Sequence, residues 1–159
     1  MPDLPADYRD ALIRKRQENI GRLFKHAARD FSERAMAKLR ERGYDDLTFF
    51  HTALISNLDV EGTRISTLAE RAEISKQAMG QIAGQLDDKG FITRVPDPND
   101  GRASLIQFTE KGWEFLQVAY EVKQAIDADY IALLGEDGMV QLEALLRTLI
   151  AGVDPKTDT

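Results

Sequence analysis

Between positions 75 and 102 lies a set of side chains with the types and spacing to read a nucleic acid: Ser75, Lys76, Gln77, Gln81, Gln85, Arg94 and Arg102. Gln77 and Gln81 are four residues apart, which on a helix stacks them on one face. A glutamine amide offers a donor and an acceptor together, the pair that matches the N6 and N7 edge of adenine in the major groove. Ser75 and Lys76 beside them suit a phosphate or a guanine. Arg94 suits a phosphate, and Arg102 the minor groove or its phosphates. Gly80 and Gly84 fall on the same outward face, although each costs about 1 kcal/mol relative to alanine in a helix interior. Either a helix backbone approaches the groove closely there, or the glycines are tolerated drift. Competing readings stand beside these. A lone glutamine is most simply a solvated surface residue, and Arg102 can form an internal ion pair with Asp97 or Asp100. Arg102 can serve both roles, since an ion pair would fix the segment that carries it.

The elements that position these residues follow from periodicity. Leu68, Ala69 and Ala72 share one face of a short helix beginning at Ser66, a suitable N-cap. Residues 73–75 interrupt the pattern, and Ser75 can cap a second helix. There Ile74, Ala78, Ile82 and Leu86 recur every fourth residue with Met79 alongside, which turns the polar residues outward. Gly90 follows the last apolar position and can end that helix in the left-handed conformation. Two helices joined by so short a turn form a helix-turn-helix, whose second helix can enter a major groove. Residues 91–95 and 104–108 are β-prone runs flanking the turn-rich stretch 96–102, which predicts a hairpin with a long tip. Residues 63–65 form a short strand that can complete a three-stranded sheet.

Helical patterns flank this centre. Tyr8, Leu12, Ile20, Phe24, Ala27, Phe31, Ala35 and Leu39 sit at spacings of three, four or eight, with Gly21 inside the stretch and Gly43 ending it. If continuous to Arg42, this helix approaches 50 Å at about 1.5 Å per residue, a length that usually packs on another chain. Asp45 or Asp46 can cap the next helix, with Leu47, Phe50, Leu54 and Leu58 as its buried stripe. Thr109 can cap a second long helix, with Trp113, Leu116, Tyr120, Ile126, Tyr130, Leu133 and Leu134 on its apolar side. The stretch from Gly135 to Gly138 should break it before a last apolar helix from Met139 to Ile150. The expected division is an N-terminal dimerisation helix over residues 1–45, a winged helix-turn-helix over 46–110, C-terminal dimerisation helices over 111–152, and a frayed tail over 153–159, all in one domain. The fold class is therefore mainly α with a small β wing.

The chain resembles the MarR family of transcriptional regulators. The residues that carry the match are LAERAEIS, the spacing from Ile74 through Leu86 to KGFI at residues 89–92, the wing RVPDPNDGRA, and TEKG at residues 109–112. The family commonly has two arginines after the wing aspartate. Here Gly101 stands in place of the first, and Arg102 keeps the second. The resemblance implies a homodimer that binds double-stranded DNA, with a small anionic aromatic or phenolic effector as a further partner. For such an effector the available residues are Phe24, His26, Phe50, His51 and Trp113, with Phe31, Phe49 and Tyr120 nearby in kind and Arg22 as an alternative to His26 for a carboxylate. Aromatic side chains at helical spacing are also what an ordinary core contains. A two-fold dimer should read a pseudo-palindrome with half-sites roughly one helical turn apart.

Composition narrows the alternatives. The 159 residues are 43% hydrophobic and 30% charged, as expected of a globular protein with a sizeable core. No apolar run approaches the roughly 20 residues that span a bilayer, and Met1-Pro2-Asp3-Leu4 has no signal-peptide pattern, so the cytoplasm is the expected location. With no cysteine and only His26 and His51 as histidines, thiol redox sensing and a histidine-rich metal site are excluded, and no cofactor is expected. There is no Walker loop, dinucleotide fingerprint, HExxH or GxSxG, so a catalytic role has no residues to carry it. The net charge of −6 opposes phosphate binding in general, yet residues 64–102 hold six cations against six anions and are neutral. Binding should then lean on base contacts and dimer spacing. The alternative function is a winged helix used only for protein contact, but its exposed Lys76, Gln77 and Gln81 are more polar than such a surface should be.

Overall fold

Asn19 divides what the apolar spacing reads as one helix from Tyr8 to Arg42. A computed structural model of the chain describes residues 6–17 and 19–153; the first five residues and the tail from residue 154 lie outside the described residues. It forms two compact units, Met1–Asp45 and Asp46–Thr159. In the first unit the helical stretch is two helices, α1 (Ala6–Gln17) and α2 (Ile20–Glu41). Asn19 is extended, with φ −69° and ψ 124°, and its side-chain oxygen accepts from the Gly21 N–H at 2.7 Å. Asparagine competes for backbone hydrogen bonds in this way, which is why it starts a helix better than it continues one. Tyr8, Leu12, Ile20, Leu23, Phe24 and Phe31 are all exposed on the single chain. The stripe exists and is left open at these positions, whereas Leu39 near its end is buried. The ion pairs Arg29–Glu33 and Arg34–Asp30, four residues apart, lie on exposed or half-exposed positions, where solvent screens them and they contribute little.

The second unit is built around a three-stranded antiparallel sheet. Its elements are α3 (Phe49–Ser56), β1 (Thr63–Arg64), α4 (Ile65–Arg71), α5 (Lys76–Asp88), β2 (Ile92–Asp97), β3 (Asp100–Phe108) and α6 (Glu110–Val153). The strand order is β1-β3-β2, with Thr63 opposite Ile106 and Ile92 opposite Phe108. The short strand at residue 63 therefore does close the sheet, but Ile65 already belongs to the helix. Ser66 is not the cap of α4; Arg64 holds that position without a side-chain bond. Likewise Thr48, and neither aspartate, caps α3. Leu47, Leu54 and Leu58 are buried as expected, whereas Phe50 points outward and is 58% exposed. The wing also differs from expectation. Pairing runs to Asp97 and resumes at Asp100, so the long tip is a connection of two residues, Pro98 and Asn99. The Asp97 carboxylate accepts from the Asn99 N–H at 2.8 Å, closing the turn through the side chain.

The core gathers Leu54, Leu68, Met79, Leu86, Phe91, Ile92, Ile106 and Phe115, each no more than 1% exposed. Phe91 and Phe115 meet edge to face at 5.4 Å. On α6 the buried positions are Gly112, Phe115, Val122 and Ile126, so Trp113 and Tyr120 do not lie inward; they are 42% and 62% exposed. Trp113 instead rests its ring on Phe108, 4.9 Å between centroids. What turns the helix this way is its first turn. Thr109 Oγ1 donates to the Gly90 carbonyl at 2.6 Å and accepts from the Gly112 N–H at 3.1 Å. A Cβ at Gly112 would stand 2.0 Å from the Phe91 carbonyl oxygen, so only hydrogen fits. Further along, Gly135 adopts φ 74° and ψ 163°, a conformation that breaks the helical path inside α6 where the glycine pair was expected to break it.

Gly112→Ala should accordingly cost about 3 kcal/mol or more, because the opposing atom is backbone and cannot swing away. Chemical denaturation of the variant against the parent checks it; a loss under about 1 kcal/mol would show that the junction yields.

Candidate nucleic-acid interface

The outward face of α5 is set by what the inward face buries. Met79, Ala83 and Leu86 are fully buried, while Ala78 and Ile82 are half-buried at the flanks, so the buried stripe lies slightly to one side of the expected one. Lys76, Gln77 and Gln81 remain exposed. Ser75 is the N-cap, with its hydroxyl accepting from the Ala78 N–H at 3.1 Å, so its side chain is already engaged. The turn before it needs Glu73 at φ 54°, an unusual conformation for a residue with a side chain, and Ile74 closes it by donating to the Ala69 carbonyl at 3.0 Å. Gly90 ends α5 at φ 76°, as its position after Leu86 implies. Gly80 and Gly84 would meet nothing within 4 Å if each carried a Cβ. Packing inside the chain does not require glycine at either position.

On the wing, the acids have a partner that the sequence does not reveal. Arg64 on β1 donates through Nε to the buried Asp97 at 2.7 Å, and its second nitrogen lies 3.6 Å from Asp100. Asp97 and Asp100 are therefore paired with the guanidinium of Arg64 and not with that of Arg102. Arg102 is exposed, with no ion pair to its guanidinium among the described residues, while its backbone N–H donates to Asp100 at 3.1 Å. Arg94 lies 3.9 Å from Asp87, a loose pair on two exposed side chains. Gln85, at the edge of the outward face, is bonded at 2.8 Å to His51 of α3.

Three carboxylates that tie this region together are held below the usual range. Asp97 accepts the Asn99 N–H and the Arg64 guanidinium; Asp59 accepts Arg71 and the Thr63 hydroxyl; Asp46 accepts Lys89. Arg71 also donates to the Asn57 carbonyl at 2.8 Å, so the first part of the loop between α3 and β1 is pinned at two points.

The aromatic candidates for an effector fall in both units. Phe24 and His26 lie on α2 of the first unit and are exposed, as are Phe50 and Trp113 in the second. His51 is 3% exposed and both of its ring nitrogens are bonded within the chain, so it offers no free nitrogen to a carboxylate. Among the described residues no cluster of three or more histidines and carboxylates could hold a metal, and no described helix is long and apolar enough to cross a membrane.

Comparison with known proteins gives a consistent result. Residues 45–103 match the model of the MarR family. The chain is 26% identical over 135 residues to the transcriptional repressor MprA of Escherichia coli, covering 85% of this chain and 77% of that protein. Its fold is similar to the reduced form of MarR from Escherichia coli, with a TM-score of 0.73 at 22% identity, covering 83% of this chain and 96% of the other. It is similar as well to MepR of Staphylococcus aureus in a complex with DNA, with a TM-score of 0.67 at 17% identity over 86% and 99% of the two chains.

The depressed carboxylates fix a sign for pH. A group whose folded pKa lies below its unfolded value of about 4 stabilises the fold above that pH, and the stabilisation is lost as pH falls through the folded value. The unfolding midpoint should thus fall progressively below about pH 4. Asp97→Asn, which keeps an acceptor for Asn99 but not the charge, should shallow that acid limb in a thermal melt series.

Proposed function

We propose that this chain, whose residues 45–103 match the MarR family of transcriptional regulators, is a ligand-responsive repressor that binds a pseudo-palindromic operator as a homodimer. The observation that carries the reading is the division of labour at the wing and α5. Arg64 engages the two wing acids, which leaves the Arg102 guanidinium without an ion pair among the described residues, and on α5 Lys76, Gln77 and Gln81 are exposed with their polar ends unbonded among those residues. In this reading α5 lies in the major groove, with Gln77 and Gln81 at base edges and Lys76 at a phosphate, and the wing carries Arg102 to the adjacent minor groove. Arg94 reaches a phosphate only by leaving Asp87, and Ser75 contributes as the cap that aims the helix.

The dimer is supported by apolar surface that a single chain leaves open. On the terminal part of α6, Leu133, Val140 and Leu145 are each about 70% exposed, and Leu149 and Ile150 about half. Such a stripe is unfavourable in water and stable against a second copy. An effector is supported only by the class of surface available: the exposed rings of Phe24, Phe50 and Trp113 suit a small aromatic or phenolic compound, and His26 or Arg22 suits its acid group.

Selection of duplexes from a random library tests the function directly. A palindromic consensus is expected, with half-sites about one helical turn apart; recovery of no sequence would overturn it. Repeating the selected-duplex shift with aromatic acids added tests the effector. Arg102→Ala should weaken binding severalfold and reduce the slope of affinity against salt by about 1; an unchanged slope would make Arg102 structural. Gly80→Leu should abolish binding while leaving a folded dimer, and normal mobility of the shifted band would refute close approach there.

A further inference from the structure

We propose that His51 is a positioning residue for DNA reading, which fixes the amide of Gln85 so that the side chain presents an N–H donor to an acceptor on the duplex. This rests on the DNA-binding function proposed above. The bonds themselves set the direction. The Thr48 backbone N–H lies 3.0 Å from His51 Nδ1, and a backbone N–H can only donate. Nδ1 is then the acceptor, and in a neutral ring the proton sits on Nε2. Nε2 lies 2.8 Å from Gln85 Oε1, so the imidazole donates and the amide oxygen accepts. The ring is buried, which keeps water from competing for it. Gln85 itself is exposed, and its amide nitrogen has no partner among the described residues.

With its oxygen turned to the imidazole, the outward atom of Gln85 is the nitrogen. That excludes the two-point contact with adenine, which needs the amide oxygen as acceptor for N6 as well as the nitrogen for N7. It fits a lone acceptor: a phosphate oxygen, a guanine O6 or N7, or a thymine O4. Gln77 and Gln81 have no such anchor and can present either end. One helix therefore carries two adaptable glutamines and one whose polarity is fixed from α3.

The experiment uses a duplex selected from a random library by the wild-type protein. His51→Ala and Gln85→Ala should each weaken binding about tenfold, a fold-change in keeping with the loss of one hydrogen bond. The double variant should bind no worse than either single one, because His51 acts only through Gln85. His51→Gln, whose amide can accept from Thr48 and donate to Gln85, should restore binding to within about threefold. A hundredfold loss in the double variant, or wild-type affinity in His51→Ala, overturns the proposal. A measurement on the wild type guards against a variant that fails to fold: the imidazole nitrogen spectrum should show the Nε2–H tautomer, and a ring protonated at Nδ1 alone overturns the assignment. Selection repeated with Gln85→Ala identifies the acceptor, since relaxation at one base pair means a base and an unchanged consensus means a phosphate. If the wild type selects no duplex, the DNA-binding function falls and this inference with it; if it selects one to which these variants are indifferent, only this inference falls.

Discussion

The first turn of α6 lies against the Phe91 carbonyl with room for a hydrogen atom and nothing larger. Three elements meet at that point: α5 has just ended at Gly90, β2 is about to start at Ile92, and α6 leaves from Thr109. The Thr109 hydroxyl bonds to both sides of the junction, and its backbone N–H donates to Phe91 as well. The end of α5, the start of the wing and the departure of the long helix are thereby tied together at one junction. A larger residue at 112 would have to separate all three. Lys111 adds to the same corner, with its ammonium over the Phe91 ring at 4.4 Å and bonded to the Lys89 carbonyl.

Much of this was legible from spacing. The helix-turn-helix follows from apolar recurrence bounded by Ser75 and Gly90, and these capping residues act locally, within three or four positions. The third strand was legible as the run 63–65 before a helix, one residue longer than the strand that forms. Failures have two sources: local capping and turn bonds, as at Asn19, Thr48 and Asp97, and partners distant in sequence or apolar residues on more than one face. Around α6, residues 113, 115, 116, 118 and 120 are all apolar or aromatic, so periodicity alone cannot choose the buried side. The Gly112 contact chooses it, and Phe115 rather than Trp113 goes inward. Turn-residue density overstated the wing tip because Asp97 and Asn99 close the turn while the strands continue to pair.

The candidate interface shows the same division. Lys76, Gln77 and Gln81 were legible as an exposed face from α5 alone. The Arg64–Asp97 pair spans 33 residues and the His51–Gln85 bond 34, and neither leaves a mark in local pattern. Yet those two bonds decide which polar groups stay unbonded at the surface. Without Arg64 the natural partner for the wing acids would have been Arg102. Within the neutral charge balance of this segment the wing acids Asp97 and Asp100 are engaged by Arg64, while the Arg102 guanidinium has no ion pair among the described residues.

The wing tip has a consequence for how such a protein could diversify. A connection of Pro98 and Asn99, locked by the carboxylate of Asp97, has no slack, so its reach is a fixed length and not a distribution. An insertion there would lie at an exposed turn and disturb little of the core, but it would exchange a rigid probe for a floppy one. Change in target preference by lengthening the tip would then come with a penalty in entropy at every binding event, whereas substitution on α5 carries none. With α5 and the wing as the proposed reading elements, drift in recognition would be channelled toward the helix while the wing keeps a constant gauge.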